Sequence, residues 1–236
     1  MEPSVAKQRL RPLLRSSEGS LPLGEVCLLI SAVAAGTAPQ VFPAVNVEAG
    51  LARLDALAAD APSSFAALMP HLFTGRHGWM ANRQHYYAVS NSLLSEVLRT
   101  RQGIPISLSI VAIEIGRRCG SDVVGIGMPG HFLVHSIDDG DLFADPFDRG
   151  QLMNREDARA LFGRLTHGTG RWHDSYLRPV SDLQIVQRTL NNLAVAARKQ
   201  PFADIHLPWV LEVMSWLPGG APFDPREASR AVAIHN

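Results

Sequence analysis

The spacing of apolar and polar positions sorts the chain into helical stretches at both ends and one dense mixed stretch in the middle. Leu23–Ala35 is apolar on nearly every face and stops at Gly36, which predicts a buried helix ended by a glycine. Val47–Asp60 carries Leu51, Leu54 and Leu57 at helical spacing behind Asn46, a favourable capping residue. Pro62–Thr74 opens on Pro-Ser-Ser and reads as a further helix start. Asn91–Thr100 places Leu93, Leu94, Val97 and Leu98 inward and Glu96, Arg99 and Arg101 outward, with Asn91 as a candidate cap. Asn154 is expected to cap Arg155–Leu165. A long amphipathic helix starts at Ser181, Pro208–Leu217 forms another, and a short one falls at Glu227–Ala233. The first twenty residues are polar, broken by Pro3 and Pro12, with a short helix at Val5–Leu14.

The middle stretch, Gly103 to Gly150, organises the rest. Ile106–Ile115 is apolar almost all round, and periodicity alone does not separate a buried strand from a buried helix. Pro105 suits a first helical turn, and Arg117-Arg118 before Gly120 suits a helix end, so the pattern predicts a central buried helix. Val123–Met128, the alternating Phe132–Ile137 and Leu142–Ala144 then read as strands. His131 and Asp145 stand on the two arms of the resulting hairpin. Side chains alternate along a strand, so the two share a face only if the loop holds an odd number of residues. A two-residue Asp139-Gly140 turn puts them on opposite faces, whereas a five-residue loop from Ser136 to Gly140 puts them directly across from each other. Gly127–Gly130 lets the backbone bend, or approach something closely, just before His131.

Composition narrows the function classes. At 46% hydrophobic and 19% charged residues the chain has ample material for a core. A net charge of zero gives no electrostatic case for a nucleic-acid or acidic-membrane partner. The run Val26–Ala35 is about half the ~20 residues of a membrane span and lacks a leader layout. Cys27 and Cys119 lie far apart inside predicted helices, which points to reduced thiols and a cytoplasmic location. The histidines are scattered, so neither a metal site nor a cofactor is expected.

A helix feeding a His strand and then an Asp strand is the layout of the transglutaminase-like cysteine-protease fold. The segments NSLLSEVLRTRQGIPISLSIVAIEIGRRCG, MPGHFLVH and FADPFDRG closely resemble the SirB1 branch of that superfamily. Four elements match in order: Asn91, Gly103–Leu108, Pro129–Phe132 and Asp145–Phe147. The resemblance is strong over Tyr87–Arg155 and weaker from Leu21 to Pro218. It implies an α+β fold: a transglutaminase-like (papain-like) core at 81–178, an N-terminal helical region at 1–80, and a helical-hairpin tail at 179–236, here shortened by Pro218–Pro225.

The resemblance also assigns roles. His131 and Asp145 are expected to meet, the Asp fixing one ring nitrogen and leaving the other for chemistry. The position of the superfamily's nucleophilic Cys is held by Pro105, which has no nucleophile. Ser107 is a candidate substitute, although a turn of about 100° per residue aims it away from position 105, and a first-turn hydroxyl bonded to the backbone is the simpler reading. Cys119 stands at the wrong end of the helix, where the dipole disfavours a thiolate. Asn91, Pro105 and Gly130 are expected around the pocket. Trp79 belongs to a polar-aromatic segment with His77, His85, Tyr86 and Tyr87, and Trp172 to a loop expected to roof the pocket. The expectation is a module without a nucleophile that binds a small molecule or peptide, with a possible protein partner on the C-terminal helices. The alternative is an enzyme of non-standard acyl chemistry with His131 as general acid or base, with Ser107 as its possible nucleophile.

Overall fold

The computed structural model describes residues 1–15, 21–75, 77–199 and 203–224, of which 203 and 204 as backbone only. In chain order the elements are α1 (Pro3–Arg15), α2 (Leu23–Thr37), α3 (Val47–Ala59), α4 (Phe65–Phe73), β1 (Met80–Ala81), α5 (Leu94–Thr100), β2 (Gln102–Gly103) and α6 (Pro105–Cys119). They continue with β3 (Val123–Ile126), β4 (Leu133–Ser136), β5 (Phe143–Asp145), β6 (Gln151–Met153), α7 (Arg155–Leu165), β7 (Pro179–Val180), α8 (Asp182–Arg198) and α9 (Ala203–Met214). The short helix expected at Glu227–Ala233 lies outside the described residues.

Two compact units result, one of Met1–Leu51, His85–Arg99 and Asp182–Asn236, the other of Ala52–Gln84 and Thr100–Ser181. Both are discontinuous, unlike the three consecutive segments expected. The reason lies in the first unit, where α8 comes back to pack on α2 and on the 3-10 turn Val89–Ser92.

In the first unit α2 is the buried centre, with α1, α8 and α9 packed on it. It does not stop at Gly36 but runs to Thr37. Gly36 serves close packing instead, since a Cβ there would come within 2.2 Å of Pro3 Cγ. Asn46 does cap α3, its Oδ1 accepting from Ala49 N–H at 3.0 Å. Glu96 is not outward as expected but buried, its carboxylate accepting from Arg99 one turn on at 2.6 Å.

The second unit carries a five-stranded antiparallel sheet, ordered β6-β5-β4-β3-β7, and a two-stranded parallel pair, β1-β2. The predicted central helix is α6, buried without a break from Pro105 to Gly116 and ended by Gly120 at φ +83°. Gly120 thus supplies the left-handed backbone that ends many helices. Gly116 lets α6 touch the sheet, since a Cβ there would lie 2.4 Å from Val123 Cγ2. Gly116→Ala is therefore expected to cost about 1–2 kcal/mol. Overpacking of about 1–3 kcal/mol outweighs the gain of about 0.5–1 kcal/mol in helix propensity. Urea unfolding with an unchanged slope would measure this, and a stabilised variant would refute the packing argument.

On the sheet, Ile126, Leu133, Phe143 and Met153 form one cluster with Ala158 and Phe162 of α7. Trp172 does not stand alone over a cavity. It packs on this cluster, edge-on to Phe162 and Tyr176, and donates Nε1–H to Asp174 Oδ1 at 2.9 Å.

Candidate functional site

The register of the β4–β5 hairpin decides whether His131 and Asp145 meet. Val134 pairs with Ala144 and His135 with Phe143, so Ser136 faces Leu142 and the loop is residues 137–141. The loop length is five, as one of the two sequence readings had it, but it starts one residue later. Ser136 stays in the ladder because Val123 pairs with it and Ile137 N–H reaches Asp122 C=O at 3.2 Å. In this register Asp145 faces Leu133, and His131 lies one diagonal step beyond. The shift by an even number leaves the two on the same parity, at a separation long side chains bridge.

They do so at 2.7 Å, from His131 Nε2 to Asp145 Oδ2, with both residues buried. An ionised carboxylate only accepts, so Nε2 carries the hydrogen and Nδ1 of a neutral ring is the basic nitrogen. The other carboxylate oxygen, Oδ1, accepts from Phe147 N–H at 2.9 Å and Asp148 N–H at 3.2 Å. Asp145 thus caps the 3-10 turn Pro146–Asp148 and orients the imidazole at once. The backbone supports this placement on both sides. Gly130 stands at φ +75° with nothing within 4 Å of a hypothetical Cβ, so glycine serves the bend and not a close approach. Past the turn, Arg149 and Gly150 both take positive φ, and Gly150 N–H closes on Asp145 C=O at 2.8 Å.

The turn Pro146–Asp148 packs on α6 and on β1. Phe147 sets its ring edge-on to His131, 6.1 Å between centroids. Over the same phenyl ring lies the guanidinium of Arg83, 4.6 Å from the centroid. Neither residue was read as part of a site. Phe147 lay inside the Asp-Pro-Phe motif, but Arg83 sits in a polar segment with no periodic or motif signal.

The remaining candidates take the following places. Pro105 is the first residue of α6 and buried. Ser107 is buried too, and its Oγ accepts from Ile104 N–H at 3.0 Å and donates to Ile104 C=O at 3.2 Å. That is the backbone-bonded hydroxyl, with Gly103 so close that a Cβ there would come within 2.6 Å of it. Ser109, one turn beyond Pro105 on the same side of the helix, was not singled out, yet its fully buried hydroxyl has no hydrogen-bond partner among the described residues. Trp79 is core, at 1% exposure, also with an unpartnered indole N–H. Asn91 lies in the first unit, in a 3-10 turn and not at a helix cap, and donates from Nδ2 to the carbonyls of His85 (2.7 Å) and Tyr86 (3.0 Å).

Of the two thiols, Cys27 is buried and Cys119 partly so, its Sγ against Pro62 and Gly116 carbonyls at 3.4 Å. Burial pushes the Cys119 thiol up. A raised value means less thiolate at neutral pH, so iodoacetamide is expected to label Cys119 slowly at pH 7, at a rate still rising past the ordinary thiol range near about 8.5. A rate that levels off below pH 8 would contradict this. Among the described residues there is no group of three or more His, Cys, Asp or Glu placed to hold a metal ion, and no helix is long and apolar enough to cross a membrane.

The profile of the transglutaminase-like superfamily matches residues 45–191, a span that holds Asn91, Pro105, Ser107, His131 and Asp145. The chain belongs to the transglutaminase-like superfamily. A UPF0162 protein of Xylella fastidiosa is 41% identical over 138 residues, covering 56% of this chain and 48% of the relative. A UPF0162 protein of Pseudomonas aeruginosa is 37% identical over 103 residues, 44% of this chain and 37% of that one. Human F-box only protein 21 is 27% identical over 128 residues, half of this chain (50%) but 19% of the human one. The chain thus spans about half the length of the Xylella relative, and less of the others. No solved structure matches it. Within the matched span Pro105 opens α6, and His131 and Asp145 are in contact.

Proposed function

We propose that this chain, as a SirB1-type member of the superfamily with a papain-like core, is a binding or regulatory module whose pocket is built on His131 and Asp145 and has lost its nucleophile. The observation that carries this reading is the start of α6. Of Pro105, Ile106, Ser107 and Leu108, only Ser107 has a nucleophilic atom, and that atom is bonded in both directions to the backbone of Ile104. A serine needs a base at its hydroxyl to attack, and this hydroxyl's hydrogen is directed at a carbonyl. The pocket takes a small molecule or peptide, and the C-terminal helices are a candidate surface for a protein partner. A cytoplasmic location fits the reduced cysteines.

The 2.7 Å contact between His131 and Asp145 favours one other reading, an enzyme in which His131 acts as general acid or base on an acyl compound. Incubation with a fluorophosphonate and with p-nitrophenyl acetate separates the two. The binding reading expects no adduct by intact mass and the same ester turnover in the wild-type chain as in His131→Ala. An adduct on Ser107, or turnover lost in His131→Ala, overturns it in favour of the enzyme.

A further inference from the structure

Resting on the reading of the His131 site as a pocket, we propose that Arg83 selects its ligand, and that the ligand carries a carboxylate. Three observations converge on this side chain. The Arg83 guanidinium lies 4.6 Å from the centre of the Phe147 ring, which in turn sets its edge against His131, so the phenyl ring links the cation to the imidazole just past β1. The ring beneath it limits where the guanidinium can go, and a positioned fork favours a two-point bond to a carboxylate.

Second, the fork is barely used. Its polar contacts among the described residues run through Nη2, a long bond to Phe147 C=O at 3.3 Å and an ion pair to Asp148 Oδ1 at 3.6 Å. Both members of that pair are mostly exposed, at 63% and 56%. An exposed pair at that distance contributes little and exchanges readily for a ligand anion. Nε and Nη1 have no partner among the described residues.

Third, Arg83 is held over the start of α6. Asn82 N–H is bonded to Gly103 C=O at 2.9 Å, two residues before Pro105, so the chain cannot carry Arg83 away from that end of the helix. A ligand reaching toward His131 therefore passes a cation with an unused donor edge. A neutral ligand would leave that edge in water. A carboxylate takes it with two parallel N–H···O bonds, displacing Asp148.

The test is a titration followed by NMR on the ring Cε1–H resonance of His131, assigned by its loss in His131→Asn. N-acetylglycine presents a chain-terminal carboxylate, N-acetylaspartic acid α-amide a side-chain one, and N-acetylglycinamide neither. The expected result is a saturable shift with at least one of the two acids and none with the neutral amide. Which acid binds distinguishes a peptide terminus from an acidic side chain as the natural group. Arg83→Gln is expected to weaken that binding about tenfold or more, the usual loss for a charge-assisted pair. Arg83→Lys, which keeps the charge and loses the fork, should fall between. Because Arg83 is exposed, both variants should melt as the wild-type chain does, which excludes misfolding as the cause. Equal binding of the neutral amide, no shift with either acid, or an unchanged affinity in Arg83→Gln overturns the proposal. None of these touches the nucleophile question, which the fluorophosphonate experiment decides separately.

Discussion

Asp145→Ala is expected to destabilise the chain by about 3 kcal/mol, the sum of a lost cap and an orphaned buried imidazole N–H. One carboxylate accepts from Phe147 N–H, Asp148 N–H and His131 Nε2–H, and Asp145 itself is 3% exposed, so no water stands ready to replace it. Asp145→Asn should cost less, about 1–2 kcal/mol, because its carbonyl oxygen still caps the turn while its NH2 faces the ring N–H donor to donor. Relief comes only if the imidazole changes tautomer. Urea unfolding of the two variants with unchanged slopes would show the order, Ala worse than Asn. An Asp145→Ala loss below about 1 kcal/mol would mean the carboxylate is neither a cap nor an anchor.

The second large effect lies at the far end of α6. Glu114 is buried, its side chain 6% exposed, and its partner Arg118 holds it at 2.6 Å while also reaching the exposed Asp55 at 2.8 Å. Removing the cation leaves a buried carboxylate unpaired, so Arg118→Ala is expected to cost about 2–3 kcal/mol, below the roughly 3–5 of a fully buried pair because Arg118 keeps some contact with water. The double variant Glu114→Leu, Arg118→Met should recover most of the loss, since an apolar pair of similar volume needs no desolvation. Chemical unfolding at pH 7 measures both. A double variant no better than the single one would show that Glu114 is not the cause.

Elements whose pattern is local were legible in the sequence. The apolar run closed by Arg117-Arg118-Gly120 read as α6, and the structure adds only that Gly116 is where the helix touches Val123. Asn46 read as a cap because its bond lies three residues away in the same helix. What failed to show depends on partners distant in sequence. Gly36 looked like a stop and is a contact with Pro3, more than thirty positions earlier. In the candidate site, the hairpin arms were visible but the register was not. A shift of two residues along one strand changes which residues face each other without altering the polar–apolar alternation. Arg83 gave no signal at all, because its role comes from lying over Phe147, more than sixty positions on.

In the proposed reading, position 105 is the place a nucleophile has left and His131 is the base that served it. Pro105→Cys tests this most directly. The rate of alkylation of the new thiol is followed against pH, with the unsubstituted chain as background for Cys27 and Cys119. A thiol at a helix N-terminus ionises early, so the expected inflection lies at least about one unit below the ordinary ~8.5 and moves upward when His131→Ala is added. An inflection at or above the ordinary value, indifferent to His131, or a thiol that never reacts, would contradict it.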